Sequence, residues 1–140
     1  MSELGHIPFV LRRLWKSGTE PIADRPVYVS MNDYQVHRVV DVPSVWWDGL
    51  RLRHAWPRTE GALGLWFFML PQRRSISVSI WRRPEDLRSF VRSPVHVRIM
   101  QRHKRTGTLI NKAWTAERFD KWLIWRQALA RLSHSEHAQR

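Results

Sequence analysis

From Ser75 to Trp81 the chain alternates without a break: Ile76, Val78 and Ile80 oppose Ser75, Ser77, Ser79 and Trp81. A period of two over this length defines a strand with one apolar and one small polar face, and no helix can sort its side chains that way. Pro84 follows, where its fixed φ suits the first turn of a helix, with Glu85 and Asp86 beside it at the positive end of the helix dipole. Leu87, Phe90 and Val91 supply the inward stripe. Ser93-Pro94 interrupts this helix and restarts it, Ser capping the new start, and Gly107 ends the second half, which runs to about Lys104. A strand that feeds straight into a helix restricts the chain to folds that layer helices on a sheet.

The flanking segments complete the pattern. Val27, Val29 and Met31 alternate with Tyr28, Ser30, Asn32 and Tyr34, a first strand with a polar-aromatic second face. After Asp41 and Pro43, the residues Val45, Trp46, Gly49, Leu50, Leu52, Arg53 and Trp56 recur at helical spacing until Pro57. The unbroken apolar run Ala62 to Leu70 reads as a strand covered on both faces, joined to Ser75–Trp81 through Pro71-Gln72-Arg73-Arg74 as an antiparallel hairpin. Thr108 to Thr115 forms a last strand, and Phe119, Trp122, Leu123, Arg126, Leu129 and Leu132 mark a basic amphipathic helix. The order β-α-β-β-α-β plus a C-terminal helix is the split βαβ arrangement, an α+β, ferredoxin-like fold. Residues 1–25 read as an N-terminal arm around the apolar patch Ile7 to Trp15, residues 26–115 as the domain, and residues 116–140 as the C-terminal helix and a frayed tail. Helices on one side of such a sheet leave a Trp-rich face open, and a second copy of the chain is its expected cover, giving a homodimer with facing sheets.

The 140 residues contain no Cys, which excludes disulfides, thiolate metal sites and thiol catalysis. Lys plus Arg number 24 against 12 for Asp plus Glu, a net charge of +12, so the surface attracts anions. Between Arg82 and Arg105 lie eight basic residues, but no helix-turn-helix or aromatic RNA-binding motif accompanies them, and nucleic acid is not the expected partner. Lys121, Trp122, Trp125, Arg126 and Arg131 give the last helix a composition suited to transient contact with an anionic membrane surface. The first residues lack the order of a signal peptide and the longest apolar run is too short to span a bilayer, so a soluble, cytoplasmic protein is expected.

Four stretches carry a family resemblance: Val42-Pro43 to Arg53, Gly61-Ala62-Leu63-Gly64, Ser77 to Trp81 with Glu85-Asp86, and Phe90 through His96. Over about residues 26–119 they resemble the antibiotic-biosynthesis-monooxygenase-like and spheroidene-monooxygenase-like superfamily of dimeric α/β barrels. That resemblance implies a hydrophobic substrate held between sheet and helices, and an activity that ranges across the superfamily from metal-free oxygenation to haem degradation. Of the haem-degrading pattern, Asn32 matches the strand-one Asn, while Phe90 and Met100 stand where a Trp and a His are expected.

The candidate site follows from these pieces. Asn32, His96 and His103 are the candidate catalytic residues: an amide suited to orienting an oxygen atom, and two imidazoles seven apart flanking Met100 on one helical face. Tyr28, Tyr34, Trp46, Trp66, Ser79, Trp81 and Trp114 are the candidate substrate-binding residues, drawn from the polar strand faces and from the nine Trp. No acid is spaced to complete a metal site with the histidines. The expected activity is a monooxygenase-like oxidation of a hydrophobic polycyclic or isoprenoid compound, with no cofactor or with haem. The alternatives are a non-catalytic haem or hydrophobic-ligand binder and a redox-neutral cyclase or isomerase.

Overall fold

The computed structural model describes residues 15–18 and 25–132. Its strands are β1 (Trp15–Ser17), β2 (Val27–Val36), β3 (Ala62–Leu70), β4 (Arg74–Trp81) and β5 (Gly107–Ala116), and its helices α1 (Val42–Ala55), α2 (Pro84–Val91), α3 (Pro94–Arg102) and α4 (Lys121–Leu132). The strands form one antiparallel sheet in the order β1-β3-β4-β2-β5. Without β1 this is the split βαβ order, so the chain has the α+β, ferredoxin-like architecture.

Local chemistry places the boundaries. Pro84 and Pro94 each occupy a first helical turn, and the Ser93 hydroxyl accepts the His96 backbone N–H. A short 3₁₀ turn, Trp56–Arg58, ends α1 where Pro57 removes a backbone donor. The β3–β4 turn takes Gln72 and Arg73 through positive φ (66° and 63°), and β2 braces it: Gln35 Nε2 donates to the Gln72 carbonyl at 2.6 Å and Val36 N–H to the Arg73 carbonyl at 2.9 Å.

Strand β1 is an addition to the expected pattern. It lies within the stretch read as an irregular arm, and pairs Trp15 with Trp66 and Ser17 with Gly64 on the outer edge of β3. Apart from Gly18 and Arg25, the rest of that arm lies outside the described residues.

The two faces of the sheet have different covers. Val27, Val29, Met31, Trp66, Ile76, Val78 and Ile80 form a core with Ile124, Trp125 and Ala128 of α4. The face expected to stand open is therefore covered by the chain's own C-terminal helix. Membrane contact by α4 loses its second Trp for the same reason: Trp122 is exposed, but Trp125 is buried against the Trp66 ring at 5.3 Å. No helix among the described residues is long and apolar enough to cross a membrane.

Candidate functional site

Strand register brings the two polar faces into a single surface. Across β4 and β2, Ser75 pairs with Tyr34, Ser77 with Asn32, Ser79 with Ser30 and Trp81 with Tyr28. Strand β5 continues these rows with Leu109, Asn111, Ala113 and Thr115. This surface faces α1, α2 and α3, and between the layers lies a cavity of two adjoining chambers, about 640 Å³ and 330 Å³. Asn32, Leu52, Phe67, His96, Met100 and Leu109 line both chambers. The walls are largely apolar and the floor polar, the usual composition of a small-molecule site.

Gly49 of α1 lets the helix approach the sheet. A β-carbon there would overlap the Phe67 ring, which stacks on Trp46 at 5.0 Å. Trp46 thus supports a wall residue from behind and does not line the cavity itself.

The floor centres on two asparagines. Asn111 Nδ2 donates to Asn32 Oδ1 at 2.7 Å, to Ser30 Oγ at 2.9 Å and to the Met31 carbonyl at 3.3 Å. Asn32 Oδ1 is thereby turned toward Asn111, while its Nδ2 has no hydrogen-bond partner among the described residues. Nearby, Trp81 Nε1 donates to Ser79 Oγ at 2.9 Å, and that hydroxyl donates to the Ser30 carbonyl. Tyr28 and Ser79 line the smaller chamber, Tyr34 the larger.

His96 lies in the wall shared by both chambers, its ring 4.9 Å from that of Phe90. Its Nδ1 is buried without a hydrogen-bond partner among the described residues. Burial lowers its proton affinity below that of an ordinary histidine, opposed in part by the Val91 backbone. A neutral imidazole at pH 7 is the result, beside a polar floor and among apolar walls.

His103 does something else. It caps the C-terminus of α3, with Nε2 2.6 Å from Asp48 Oδ2 and Nδ1 3.3 Å from Thr106 Oγ1. Its carbonyl accepts from the Tyr34 hydroxyl at 2.7 Å, and that hydroxyl lies 2.5 Å from Thr106 Oγ1. Burial raises the Tyr34 pKa, while the Thr106 hydrogen bond opposes the rise. With both ring nitrogens engaged, His103 has none left for a substrate or for haem iron, which corrects its expected role. Among the described residues the other imidazole on the cavity wall is His96.

Three of the expected tryptophans lie elsewhere. Trp66 and Trp114 project from the opposite face of the sheet: Trp66 is in the core under α4, and Trp114 donates to Gln127 Oε1 at 2.8 Å with the Arg131 guanidinium 3.9 Å above its ring. Trp81 is on the correct face but fully buried between Trp56 and Phe90. None of the three is a cavity-lining residue, because strand alternation sends the first two away and helix α2 packs over the third.

Asp48 and Asn111 were absent from the sequence reading. Asp48 carried a signal: it stands three residues after Val45 and four before Leu52, an acid on the inward stripe of α1 that burial would oblige to find partners. It finds Arg102 Nη1 at 2.8 and 2.9 Å as well as His103. Asn111 carried none, since only the β2–β5 register sets it opposite Asn32. Among the described residues no three His, Asp or Glu side chains are placed to share a metal ion.

No protein-family model and no curated protein matches the chain. Solved structures do. SnoaB from Streptomyces nogalater, a cofactor-independent oxygenase, superposes with a TM-score of 0.55 at 16% identity over 69% of this chain and 97% of its own. A Nitrosomonas europaea protein named as a candidate antibiotic biosynthesis monooxygenase gives 0.57 at 8% identity over 66% and 99%. LmHde, a heme-degrading enzyme from Listeria monocytogenes, gives 0.50 at 12% identity over 69% and 65%. At these identities the likeness is one of fold, and the chain has the ferredoxin-like α+β fold of the antibiotic-biosynthesis-monooxygenase-like proteins.

Proposed function

We propose that the protein is a small monooxygenase that oxidises a hydrophobic polycyclic or isoprenoid substrate in the cavity between sheet and helices. The observation that carries this reading is the pairing of an apolar cavity with a converging polar set: the Asn32 amide N–H, the neutral His96 imidazole, and the Ser30, Ser77 and Ser79 row. For a polycyclic substrate, a methylene between electron-rich rings becomes a carbonyl, one atom of dioxygen enters the product and the other leaves as water. The substrate supplies all four electrons. Asn32 stabilises the developing negative charge on the substrate oxygen by hydrogen bonding, and His96 accepts the proton released from carbon. The fold shared with a cofactor-independent oxygenase supports the reading.

The test is oxygen uptake by the purified protein over a panel of polycyclic phenols and isoprenoids, with ¹⁸O₂ labelling of any product. Labelled product is expected, with turnover falling at least tenfold in Asn32→Ala and His96→Gln. No uptake above buffer, or unchanged turnover in both variants, overturns the proposal. Turnover that persists without oxygen would point to the cyclase or isomerase alternative. Binding without turnover would point to a hydrophobic-ligand carrier, and a saturable Soret change lost in His96→Ala to a haem binder.

A further inference from the structure

We propose that Asn111 sets the hydrogen-bonding polarity of the cavity floor, making it a donor site selective for ligands that present an acceptor oxygen. Asn111 is a positioning residue acting through Asn32, and the proposal rests on the reading of the cavity as a ligand site.

A side-chain amide carries one accepting and one donating end, and its neighbours decide which end faces the ligand. Here the decision can be traced to the backbone. The Met31 carbonyl can only accept, so the Asn111 atom 3.3 Å from it must be Nδ2. That same Nδ2 lies 2.7 Å from the Asn32 side chain, which must therefore offer Oδ1 to it. Ser30 Oγ, 2.9 Å from Nδ2, fits the same assignment as an acceptor. The Asn32 amide is thereby turned with Oδ1 toward Asn111 and Nδ2 away from it as the end with no protein partner among the described residues, and Asn32 lines both chambers. The chain of constraint runs from a backbone carbonyl of β2 through a β5 side chain to the amide at the ligand. An acceptor ligand is satisfied there, whereas an N–H ligand without an acceptor sets two donors facing one another.

Reversing the first link should reverse the last. In Asn111→Asp the carboxylate can only accept, so it draws Asn32 Nδ2 toward itself and turns Asn32 Oδ1 into the cavity. In Asn111→Ala nothing fixes Asn32, and either end can face the ligand. Asn111 is exposed on an edge strand, so both variants retain the core packing.

The matched probes are 9-fluorenone and carbazole, planar tricycles of similar size that differ in presenting a carbonyl acceptor or an N–H donor. Dissociation constants are measured by calorimetry for wild type, Asn111→Asp, Asn111→Ala and the double variant Asn32→Ala/Asn111→Asp, with circular dichroism as the check of folding. Wild type should favour fluorenone about tenfold, the worth of one hydrogen bond exchanged for an unpaired donor. Asn111→Asp should favour carbazole, Asn111→Ala should discriminate little, and the double variant should lose the reversal because the switch acts through Asn32. A selectivity ratio in Asn111→Asp within twofold of wild type, or a reversal that survives in the double variant, overturns the role of Asn111. Failure of both probes to bind wild type overturns the reading of the cavity together with this proposal, and binding with unchanged ratios overturns this proposal alone.

Discussion

The His103 ring places Nε2 2.6 Å from Asp48 Oδ2, tying the C-terminus of α3 to the middle of α1 through a fully buried carboxylate. On the other side of the ring Nδ1 lies 3.3 Å from Thr106 Oγ1, whose hydroxyl donates to the His103 carbonyl at 3.1 Å. Arg102 supplies the positive charge that a buried carboxylate requires. The link ties two helices of the cavity wall to each other.

Asp48→Ala leaves the buried His103 ring without its partner, while the exposed Arg102 guanidinium keeps its contact with water. The substitution is expected to cost about 1–3 kcal/mol. Asp48→Asn, which keeps the shape and an acceptor oxygen, should cost less. Urea unfolding at pH 7 checks both, with the midpoint falling while the denaturant slope holds.

Trp125 closes the sheet face opposite the cavity, packed on Trp66 at 5.3 Å and Phe68 at 5.7 Å. Trp125→Ala should destabilise the chain by about 3–5 kcal/mol, the cost of truncating a large aromatic in a core. Because α4 is then loosened from an apolar sheet, binding of a dye such as ANS should rise above that of the wild type.

The lowered pKa of His96 makes stability depend on pH with a definite sign. Burial disfavours the charged ring in the folded state, so the unfolded chain binds more protons in the window below its own pKa of about 6.5. Stability is therefore complete above that value and is lost as the pH falls through the window toward the lowered folded pKa. The difference between wild type and His96→Gln, measured by thermal unfolding from pH 7.5 to 5, should show this loss in the wild type and its absence in the variant.

Gly49→Ala tests the close approach of α1 to the sheet. The added methyl overlaps the Phe67 ring, which must move or push the helix away. A cost of about 1–3 kcal/mol is expected from overpacking, against the few tenths to 1 kcal/mol that alanine ordinarily gains in a helix. The melting temperature should fall rather than rise.

Much of this molecule could be read from periodicity. The alternation in Ser75–Trp81, the apolar run Ala62–Leu70 and the prolines at 84 and 94 mark elements through local sterics and short-range spacing, and the structure places them with little change. Asn32, Tyr28 and Ser79 were legible because alternation assigns them to the face opposite Val27 and Ile80. Trp66 and Trp114 were misassigned because composition records that a chain is rich in Trp but not which side of a sheet each one takes. His103 was misread because helical spacing put it on a face with His96, while its place at the helix end turns it toward Asp48.

The sequence by itself determined the order of strands and helices from β2 onward, the ferredoxin-like class and the polar character of one strand face, because each follows from spacing and periodicity within short segments. Tertiary structure alone decided that the C-terminal helix covers the second face, that Asn111 meets Asn32 across seventy-nine residues, and that Asp48 binds His103. Those depend on strand register and on burial, where an unpaired polar group is costly enough to select its partner from anywhere in the chain.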